Sequence, residues 1–207
     1  MKLLLKIIMA IVLPLIIFAL LTIEIQKNSV ILAWDTSILL AIHQTAQTQI
    51  DMFATILTDF GIYWGVIPLT AAISWFLLYH KKRQEALYLL TTVLGCAIIS
   101  PTIKILVQRQ RPHLWTSLYP LPKDFSFPSG HAMWSMTFVV ALVILTWGSR
   151  WSFLVLVSGG LFVVAIAWTR LYLGVHFPSD ILAGWLLSIA WAVSTSIILR
   201  VQPIGQK

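Results

Sequence analysis

The sequence predicts an all-α integral membrane protein, and three observations lead to that prediction. Of its 207 residues, 59% are hydrophobic and only 10% are charged, and the mean hydropathy is +0.90. A water-soluble domain of this length could not bury so much apolar surface in one core. The apolar residues are gathered into runs close to the roughly 20 residues that cross a bilayer as a helix. No polar, Pro-rich or Ser-rich stretch divides the chain, so residues 1–207 are predicted to form a single membrane domain.

Six candidate transmembrane helices follow one another along the chain. They cover residues 4–23, 62–79, 86–107, 131–147, 153–169 and 181–199. The first run is longer than the apolar part of a typical signal peptide and has no clear cleavage site, so we expect a retained anchor. Residues 24–60 mix apolar and polar residues at helical spacing, as at Trp34, Ile38 and Ile42. This pattern predicts short interfacial helices between the first and second spans.

The distribution of basic residues predicts the orientation. With both termini cytoplasmic, the inner side receives eight Lys and Arg residues and the outer side six. The excess on the inner side grows if Lys104, Arg111 and Arg170 serve a functional site, because they then do not count toward topology. With six spans, the ends of the third and fifth and the beginnings of the fourth and sixth all face the outer side. A multi-pass protein of the plasma (inner) membrane, with its site on the outer face, is therefore expected.

Charge and cysteine content limit the partners. The net charge of +7 does not indicate nucleic-acid binding, because the basic residues lie at the ends of apolar runs and not on one face of a soluble fold. Membrane lipids and anionic substrates are the expected partners. The single cysteine, Cys96, excludes an intrachain disulfide and leaves no thiolate cluster for a metal. Neither a metal nor a cofactor is expected.

Basic residues at the predicted outer side indicate an anion site. Lys104 and Arg111 are seven residues apart, or two helical turns, so they are predicted to project from one face of the third span before Pro112 stops it. Arg170 ends the fifth span. The planar fork of Arg and the compact charge of Lys together suit a phosphoryl group better than a lone carboxylate. Taken singly, a basic residue at a span end, such as Arg109, is typical of a side chain that snorkels to the interface.

Two similar helix beginnings complete the cluster. The sequence Phe-Pro-Ser-Gly precedes His131, and Phe-Pro-Ser-Asp ends at Asp180. Amide groups at the start of a helix, with a Gly that permits close backbone approach, form a cradle for anions at Ser129 and Gly130. His176 and Asp180 are four residues apart, so the carboxylate can fix the imidazole tautomer and stabilise its cation. A Pro-Ser pair or a lone His is ordinarily structural, but the joint arrangement at one membrane face favours a working site.

Together these residues resemble the three-part signature of the type-2 phosphatidic acid phosphatases. Its parts are Lys104 with six residues before Arg111-Pro112, then Pro128-Ser129-Gly130-His131, then Arg170 with five residues before His176 and three more before Asp180. Three parts in this order are far more specific than a lone short motif. The resemblance covers residues 104–180 and the six-span layout. Thr169 stands where the family usually has Ser, which keeps a hydroxyl there.

The resemblance implies a metal-independent membrane lipid phosphatase that works through a phosphohistidine. His176 would be the nucleophile with Asp180 orienting it, and His131 would protonate the leaving oxygen and later activate water. The residues implied to bind the phosphoryl oxygens are Lys104, Arg111, Ser129, Gly130 and Arg170. The implied substrates are lipid phosphates or diphosphates, such as undecaprenyl diphosphate, phosphatidic acid or phosphatidylglycerophosphate.

Three alternatives stay open from the sequence. A lipid phosphotransferase or a sugar-phosphate phosphatase could use the same scaffold. A non-catalytic transporter is the third, although transporter sites tend to lie near the bilayer midplane on broken helices, whereas these residues lie at one interface. The acceptor of the phosphoryl group separates the first of these from a phosphatase, because only transfer to water releases free phosphate.

Overall fold

The computed structural model describes residues 5, 7–27, 31–115 and 119–204, and this part of the chain is helical and contains no strand. The helices are α1 (Ile8–Gln26), α2 (Ile31–His43), α3 (Thr48–Asp59), α4 (Val66–Tyr79), α5 (Arg83–Val107), α6 (Gly130–Thr146), α7 (Ser152–Tyr172) and α8 (Pro178–Ile198). The first turns of α1 are π-helical. The all-α prediction is confirmed for these residues.

The composition of the helices identifies a multi-pass integral membrane protein. Four of them, α1, α5, α7 and α8, are long and apolar enough to cross a membrane. Helices α4 and α6 are also apolar but have only 14 and 17 residues. Large apolar side chains remain exposed on the outer surface, as Phe153 and Ile198 do, which suits a surface that faces lipid. Each predicted span overlaps one of these six helices, although residue 4, where the first was predicted to begin, lies outside the described residues.

Helix α6 lies in the middle of the bundle, where it packs against α5, α7 and α8. The approach of α6 to α8 is close because both helices carry small residues where they meet. A Cβ atom added to Gly184 of α8 would lie 3.1 Å from the carbonyl oxygen of Ser129, at the beginning of α6. The Ser129 N–H also donates to the Asp180 carbonyl at 3.1 Å. The beginnings of α6 and α8 are therefore fixed against each other.

The described part of residues 24–60 contains two short helices, as the polar and apolar spacing predicted. Helices α2 and α3 have 13 and 12 residues, and residues 24–26 extend α1. Both short helices pack against α7, and α2 also contacts α8. This segment therefore reaches the end of the bundle at which α7 ends and α8 begins.

The prediction that Lys104 and Arg111 project from one face of the same helix is wrong, although the predicted end of the third span at residue 107 agrees with the structure. Helix α5 ends at Val107 because Gln108 adopts a left-handed backbone conformation with φ of 54°, and its N–H donates to the Lys104 carbonyl at 2.9 Å. A single left-handed residue of this kind is a common way to end a helix. Arg111 therefore lies in the following loop and does not share a helix face with Lys104, since the helix stops well before Pro112.

Candidate active site

A cavity of about 310 Å³ opens at the end of the bundle where α5 and α7 end and α6 and α8 begin. Six of the eight residues predicted for the site line it, namely Lys104, Arg111, Gly130, His131, Arg170 and His176. The other two are buried in the surrounding wall, Ser129 next to Gly130 and Asp180 in contact with His176. The structure therefore brings together residues from four helix ends, as the parity of the spans predicted.

His176 lies in the loop between α7 and α8 and is 1% exposed. Its Nδ1 is 3.3 Å from Oδ2 of Asp180, which also accepts the Phe177 N–H at 2.9 Å in the first turn of α8. Its Nε2 is 3.2 Å from Nη1 of Arg111. A carboxylate can only accept, so the ring proton belongs on Nδ1 and the lone pair on Nε2. The lone pair is therefore on the side of the ring that faces Arg111.

The surroundings of His176 keep this ring neutral. Burial lowers the pKa of His176 well below its usual value, and the positive charges of Arg111, Arg170 and Lys104 lower it further. The imidazole is therefore uncharged at neutral pH, and its Nε2 lone pair accepts from Arg111.

Three buried polar atoms around the cavity have no hydrogen-bond partner among the described residues. They are Nε2 of His131, Oγ of Ser129 and Nε of Arg170. Buried polar groups in folded proteins are nearly always paired, because an unpaired group loses its hydration without compensation. These atoms therefore indicate a place for a polar ligand. Gly130 leaves room there, since a Cβ added to it would meet only the Ser100 hydroxyl, at 3.6 Å.

Arg170 is positioned by groups outside its own helix. It lies in the last turn of α7 and is 1% exposed. Its Nη1 donates to Oγ1 of Thr58 in α3 at 2.8 Å. Its guanidinium carbon is 5.4 Å from the centroid of the Tyr119 ring. Helix α3 and the loop before α6 therefore hold this guanidinium at the cavity.

Lys104 and Arg111 are joined by Asp124, a residue that the sequence analysis did not identify. Asp124 Oδ2 accepts from the Lys104 ammonium, and Oδ1 accepts from Nη2 of Arg111 at 2.6 Å. Partial burial alone would raise the pKa of Asp124, but hydrogen bonds and charges from Lys104 and Arg111 outweigh it and lower the pKa to about 2. The sequence carried one indication of this role: Asp124 is an acidic residue in the loop between two parts of a phosphate-binding signature.

Arg109 does not snorkel to the interface, because its side chain is 7% exposed and bonds to two carboxylates. Its Nη2 lies 2.7 Å from Oδ2 of Asp35 in α2, and its Nη1 donates to Oδ1 of Asp180. Asp35 also accepts the Ser179 N–H at 2.9 Å. The sequence could have indicated Asp35, because it is an acidic residue within the apolar pattern of α2 and a charge inside an apolar helix is usually functional.

The arrangement suits the chemistry of an anion. Three cationic side chains and one carboxylate line the cavity beside two imidazoles, one of them held by a carboxylate. This set provides a nucleophile, a proton donor and acceptor, and charge to offset that of a phosphoryl group. In the described part of the chain, no three His, Cys, Asp or Glu side chains are grouped so that they could hold a metal ion.

Comparisons with known proteins agree with this chemistry. A sequence model of the PAP2 superfamily matches residues 85–202. An undecaprenyl-diphosphatase of Sulfolobus acidocaldarius is 29% identical over 145 residues, which cover 68% of this chain and 66% of that protein. Phosphatidylglycerophosphatase B of Bacillus subtilis is 28% identical over 177 residues, which cover 83% of this chain and 86% of that protein.

A solved structure has a similar fold. The crystal structure of a transmembrane PAP2-type phosphatidylglycerolphosphate phosphatase from Bacillus subtilis superposes with a TM-score of 0.82 and 24% sequence identity. The superposition covers 93% of this chain and 98% of that one. The likeness therefore extends over nearly the whole helical bundle.

Proposed function

Because this chain belongs to the PAP2 superfamily and is therefore a membrane-bound lipid phosphatase, we propose that His176 is its nucleophile and that the reaction passes through a phosphohistidine. One observation carries the proposal: the imidazole of His176 is buried, is held by Asp180, and lines a cavity together with three cationic side chains. A neutral imidazole that a carboxylate orients is a competent nucleophile without a metal.

In the first step, Nε2 of His176 attacks phosphorus, and the bond between phosphorus and the lipid oxygen breaks. The leaving oxygen takes a proton from His131, whose Nε2 is buried and has no protein partner in the described residues. Nδ1 of His176 keeps its proton and donates it in a hydrogen bond to Asp180, whose negative charge offsets the positive charge that the ring gains on phosphorylation.

In the second step, water attacks the phosphohistidine. His131, now neutral, takes a proton from that water, the P–N bond breaks, and its electron pair returns to Nε2 of His176. Free phosphate leaves. Both steps develop charge on the same three equatorial oxygens.

These oxygens are bound, in our proposal, by the phosphate cradle. We use this name for Lys104, Arg111, Ser129, Gly130 and Arg170 together. Oγ of Ser129 and Nε of Arg170, which have no partner among the described residues, would supply two of the donors. Electrostatic stabilisation of this kind is usually the largest contribution to phosphoryl transfer.

The proposed substrates are lipids that carry a terminal phosphate or diphosphate. An amphiphile can leave its chains in the bilayer while its phosphate reaches a cavity at the membrane surface. Polyprenyl diphosphates, phosphatidic acid and phosphatidylglycerophosphate all fit this description, and the names of the relatives support the first and the last.

We propose six spans, with the cavity on the outer face of the plasma membrane and both termini in the cytoplasm. Helices α4 and α6 would be the two shorter spans, and α2 and α3 would lie at the interface, so that residues 1–207 form one membrane domain. The positive-inside rule and the meeting of four helix ends at one cavity support this topology.

Trapping the intermediate tests the mechanism. We would mix the purified protein with phosphatidic acid labelled with ³²P, quench in alkali, where phosphohistidine survives, and measure label on the protein. We expect label on the wild type, none on His176→Ala, and more label on His131→Ala when the substrate is p-nitrophenyl phosphate. That leaving group needs no proton, so only the hydrolysis of the intermediate would be slow.

His113→Ala is the matched control, because His113 is exposed and does not line the cavity. It is expected to label and turn over like the wild type. Turnover or labelling by folded His176→Ala would rule out this nucleophile.

A substrate panel tests the activity itself. Phosphate release would be measured from phosphatidic acid, phosphatidylglycerophosphate, undecaprenyl diphosphate and glucose phosphate, with a chelator present throughout. Release from the lipids but not from the sugar is the expected result. Consumption of a lipid phosphate without release of phosphate would indicate a transferase instead.

A further inference from the structure

All the hydrogen-bond donors of Arg111 are occupied within the protein. A guanidinium has five N–H groups. Nε donates to the Asp124 carbonyl at 2.8 Å, and Nη1 contacts the Val175 carbonyl at 2.7 Å and Nε2 of His176 at 3.2 Å. Nη2 donates to Oδ1 of Asp124 at 2.6 Å and to the Phe125 carbonyl at 3.4 Å. A phosphate oxygen can therefore bind Arg111 only after one of these acceptors leaves.

Asp124 is the acceptor that can leave at the lowest cost. Its side chain is 54% exposed, so water can solvate the carboxylate once it moves away. The carbonyls are part of the backbone, and His176 is buried. The Lys104 ammonium contacts the same loop, because it donates to Oδ2 of Asp124 and to the Phe125 carbonyl.

The carboxylate of Asp124 occupies the cradle as a phosphate would. Its two oxygens bridge Lys104 and Arg111, and Asp124 itself lines the cavity. Elsewhere in the cradle, Ser129 and Arg170 each have a buried polar atom without a partner among the described residues. Lys104 and Arg111 therefore already bind an internal anion, whereas Ser129 and Arg170 have no bond to it.

We infer that Asp124 is an internal ligand of the phosphate cradle, which the phosphoryl group of the substrate displaces from Lys104 and Arg111. This inference rests on the proposed function of the cavity. Because the phosphate must compete with Asp124, this residue weakens the binding of substrate and of product phosphate alike. After hydrolysis the carboxylate returns to the two cations and helps phosphate to leave.

The competition holds over the whole working pH range. The pKa of Asp124 is about 2, so the side chain is a carboxylate at every pH at which the protein is assayed. Mild acid therefore does not release it, and a substitution is needed to remove the charge.

The test compares Asp124→Asn with the wild type. Asparagine keeps the size of the side chain and one carbonyl acceptor but removes the charge. We expect inorganic phosphate to inhibit Asp124→Asn at about tenfold lower concentration than the wild type, and KM for the lipid phosphate to fall. Asp124→Glu keeps the charge and should stay within about twofold of the wild type.

Asp51→Asn is the matched control for loss of a carboxylate. Asp51 lies in α3 and accepts a hydrogen bond from the Tyr172 hydroxyl at 2.8 Å, a neutral donor outside the cradle. Phosphate inhibition of this variant should match the wild type. If phosphate inhibited Asp51→Asn and Asp124→Asn at equally lowered concentrations, the effect would come from overall charge, and the inference would be overturned.

A second measurement does not need turnover. Phosphate added to the protein in detergent should raise the Tm of Asp124→Asn by more than it raises that of the wild type. An equal or smaller shift would mean that Asp124 holds Lys104 and Arg111 in place for the phosphate, and the inference would be wrong. A wild type that releases no phosphate from any lipid would instead contradict the proposed function.

Discussion

Residues 31–59 and residues 104–180 both reach the active site, but they contribute different kinds of contact. The second region supplies most of the residues that line the cavity, including both imidazoles. The first supplies Asp35 and Thr58, which bond to Arg109 and Arg170 without lining the cavity. The match to the PAP2 superfamily begins at residue 85 and leaves this first region out. Residues 31–59 therefore supply orienting contacts only, whereas residues 104–180 supply the reactive groups and, in Arg109 and Asp180, further groups that orient them.

The two regions meet at Arg109, which contacts a carboxylate from each of them. Its guanidinium lies between Asp35 from α2 and Asp180 from α8, and its carbon is 4.2 Å from the centroid of the Phe177 ring. Both carboxylates are nearly or fully buried. A buried charge is tolerated only when it is paired, so each member of this cluster depends on the others.

Arg109→Gln should have the largest effect, because it leaves two buried carboxylates without their cation. Removing one partner of a buried ion pair costs about 3–5 kcal/mol. We expect the free energy of unfolding in detergent to fall by about this amount, and phosphatase activity to fall at least about 100-fold as Asp180 shifts away from His176. Unfolding followed by circular dichroism, with a lipid phosphate assay, checks both.

The double variant Arg109→Gln with Asp35→Asn separates stability from positioning. It removes one of the two stranded carboxylates, so part of the lost stability should return while activity stays low. A single variant as stable as the wild type would show that the cluster is solvated and would remove the distinction between the two regions.

Asp35→Asn should have the next largest effect and tests the first region alone. The amide cannot hold Arg109 as an ion pair, so the guanidinium that orients Asp180 becomes free to shift. We expect kcat to fall about 10- to 100-fold with KM for the lipid little changed, because the cradle is untouched.

Ser37→Ala is the control for Asp35→Asn on the same helix. The Ser37 hydroxyl is exposed, and among the described residues it bonds to the Ala33 carbonyl of α2, at 2.8 Å. Its kcat should match that of the wild type. Equal losses in the two variants would mean that α2 matters for stability and not for orientation.

The sequence could predict the lining of the cavity because helix ends carry local signals. Proline before Ser129 and Ser179 marks the beginnings of α6 and α8, and a signature of fixed spacing selects Lys104 and His176. The apolar runs likewise predicted the helices, because in lipid a helix satisfies its own backbone hydrogen bonds.

The orienting contacts could not be predicted, because they join distant residues. Asp35 and Arg109 are 74 residues apart, and Thr58 and Arg170 are 112 apart. The local sequence around either member of each pair does not indicate which residue it contacts. The position of Arg111 in a loop was also missed. The left-handed conformation of Gln108, which separates Arg111 from α5, is not one its side chain favours, so it depends on the surrounding loop.

Thr58→Val should have a smaller effect than Asp35→Asn. Valine has nearly the same shape, but it leaves an N–H of the buried Arg170 without its acceptor. An unsatisfied buried donor costs about 1–3 kcal/mol. We expect kcat to fall about tenfold, because Arg170 is proposed to offset charge in the transition state.

Thr55→Val is the matched control in α3. Its hydroxyl is exposed and bonds to the Asp51 carbonyl within the same helix, at 2.8 Å. Steady-state kinetics of the two variants side by side should show a loss only for Thr58→Val. A loss in both would point to the fold of α3.

The smallest predicted effect concerns the pH dependence of kcat/KM. It separates a role in orienting His176 from a role in setting its charge. The pKa of His176 lies well below its ordinary value of 6.5 because of burial and the nearby cations. As pH falls through 6.5, the nucleophile therefore stays neutral, and kcat/KM should not decline until lower pH. The charged and titratable groups that face His176 are Asp180 on α8, Lys104 on α5, Arg111 and Asp124 in the loop, Arg170 on α7 and His131 on α6.

Because Asp35 is absent from this set, its substitution should lower kcat without moving the acid limb of the kcat/KM profile by more than about half a pH unit. A larger shift in Asp35→Asn would mean that residues 31–59 tune the charge of the nucleophile. An unmoved limb with reduced kcat would mean that they only hold the carboxylate of Asp180 in place.

The lowered pKa of His176 also predicts how stability changes with pH. Below pH 6.5 the unfolded chain protonates His176 and the folded chain does not, so acid should lower the Tm of the wild type.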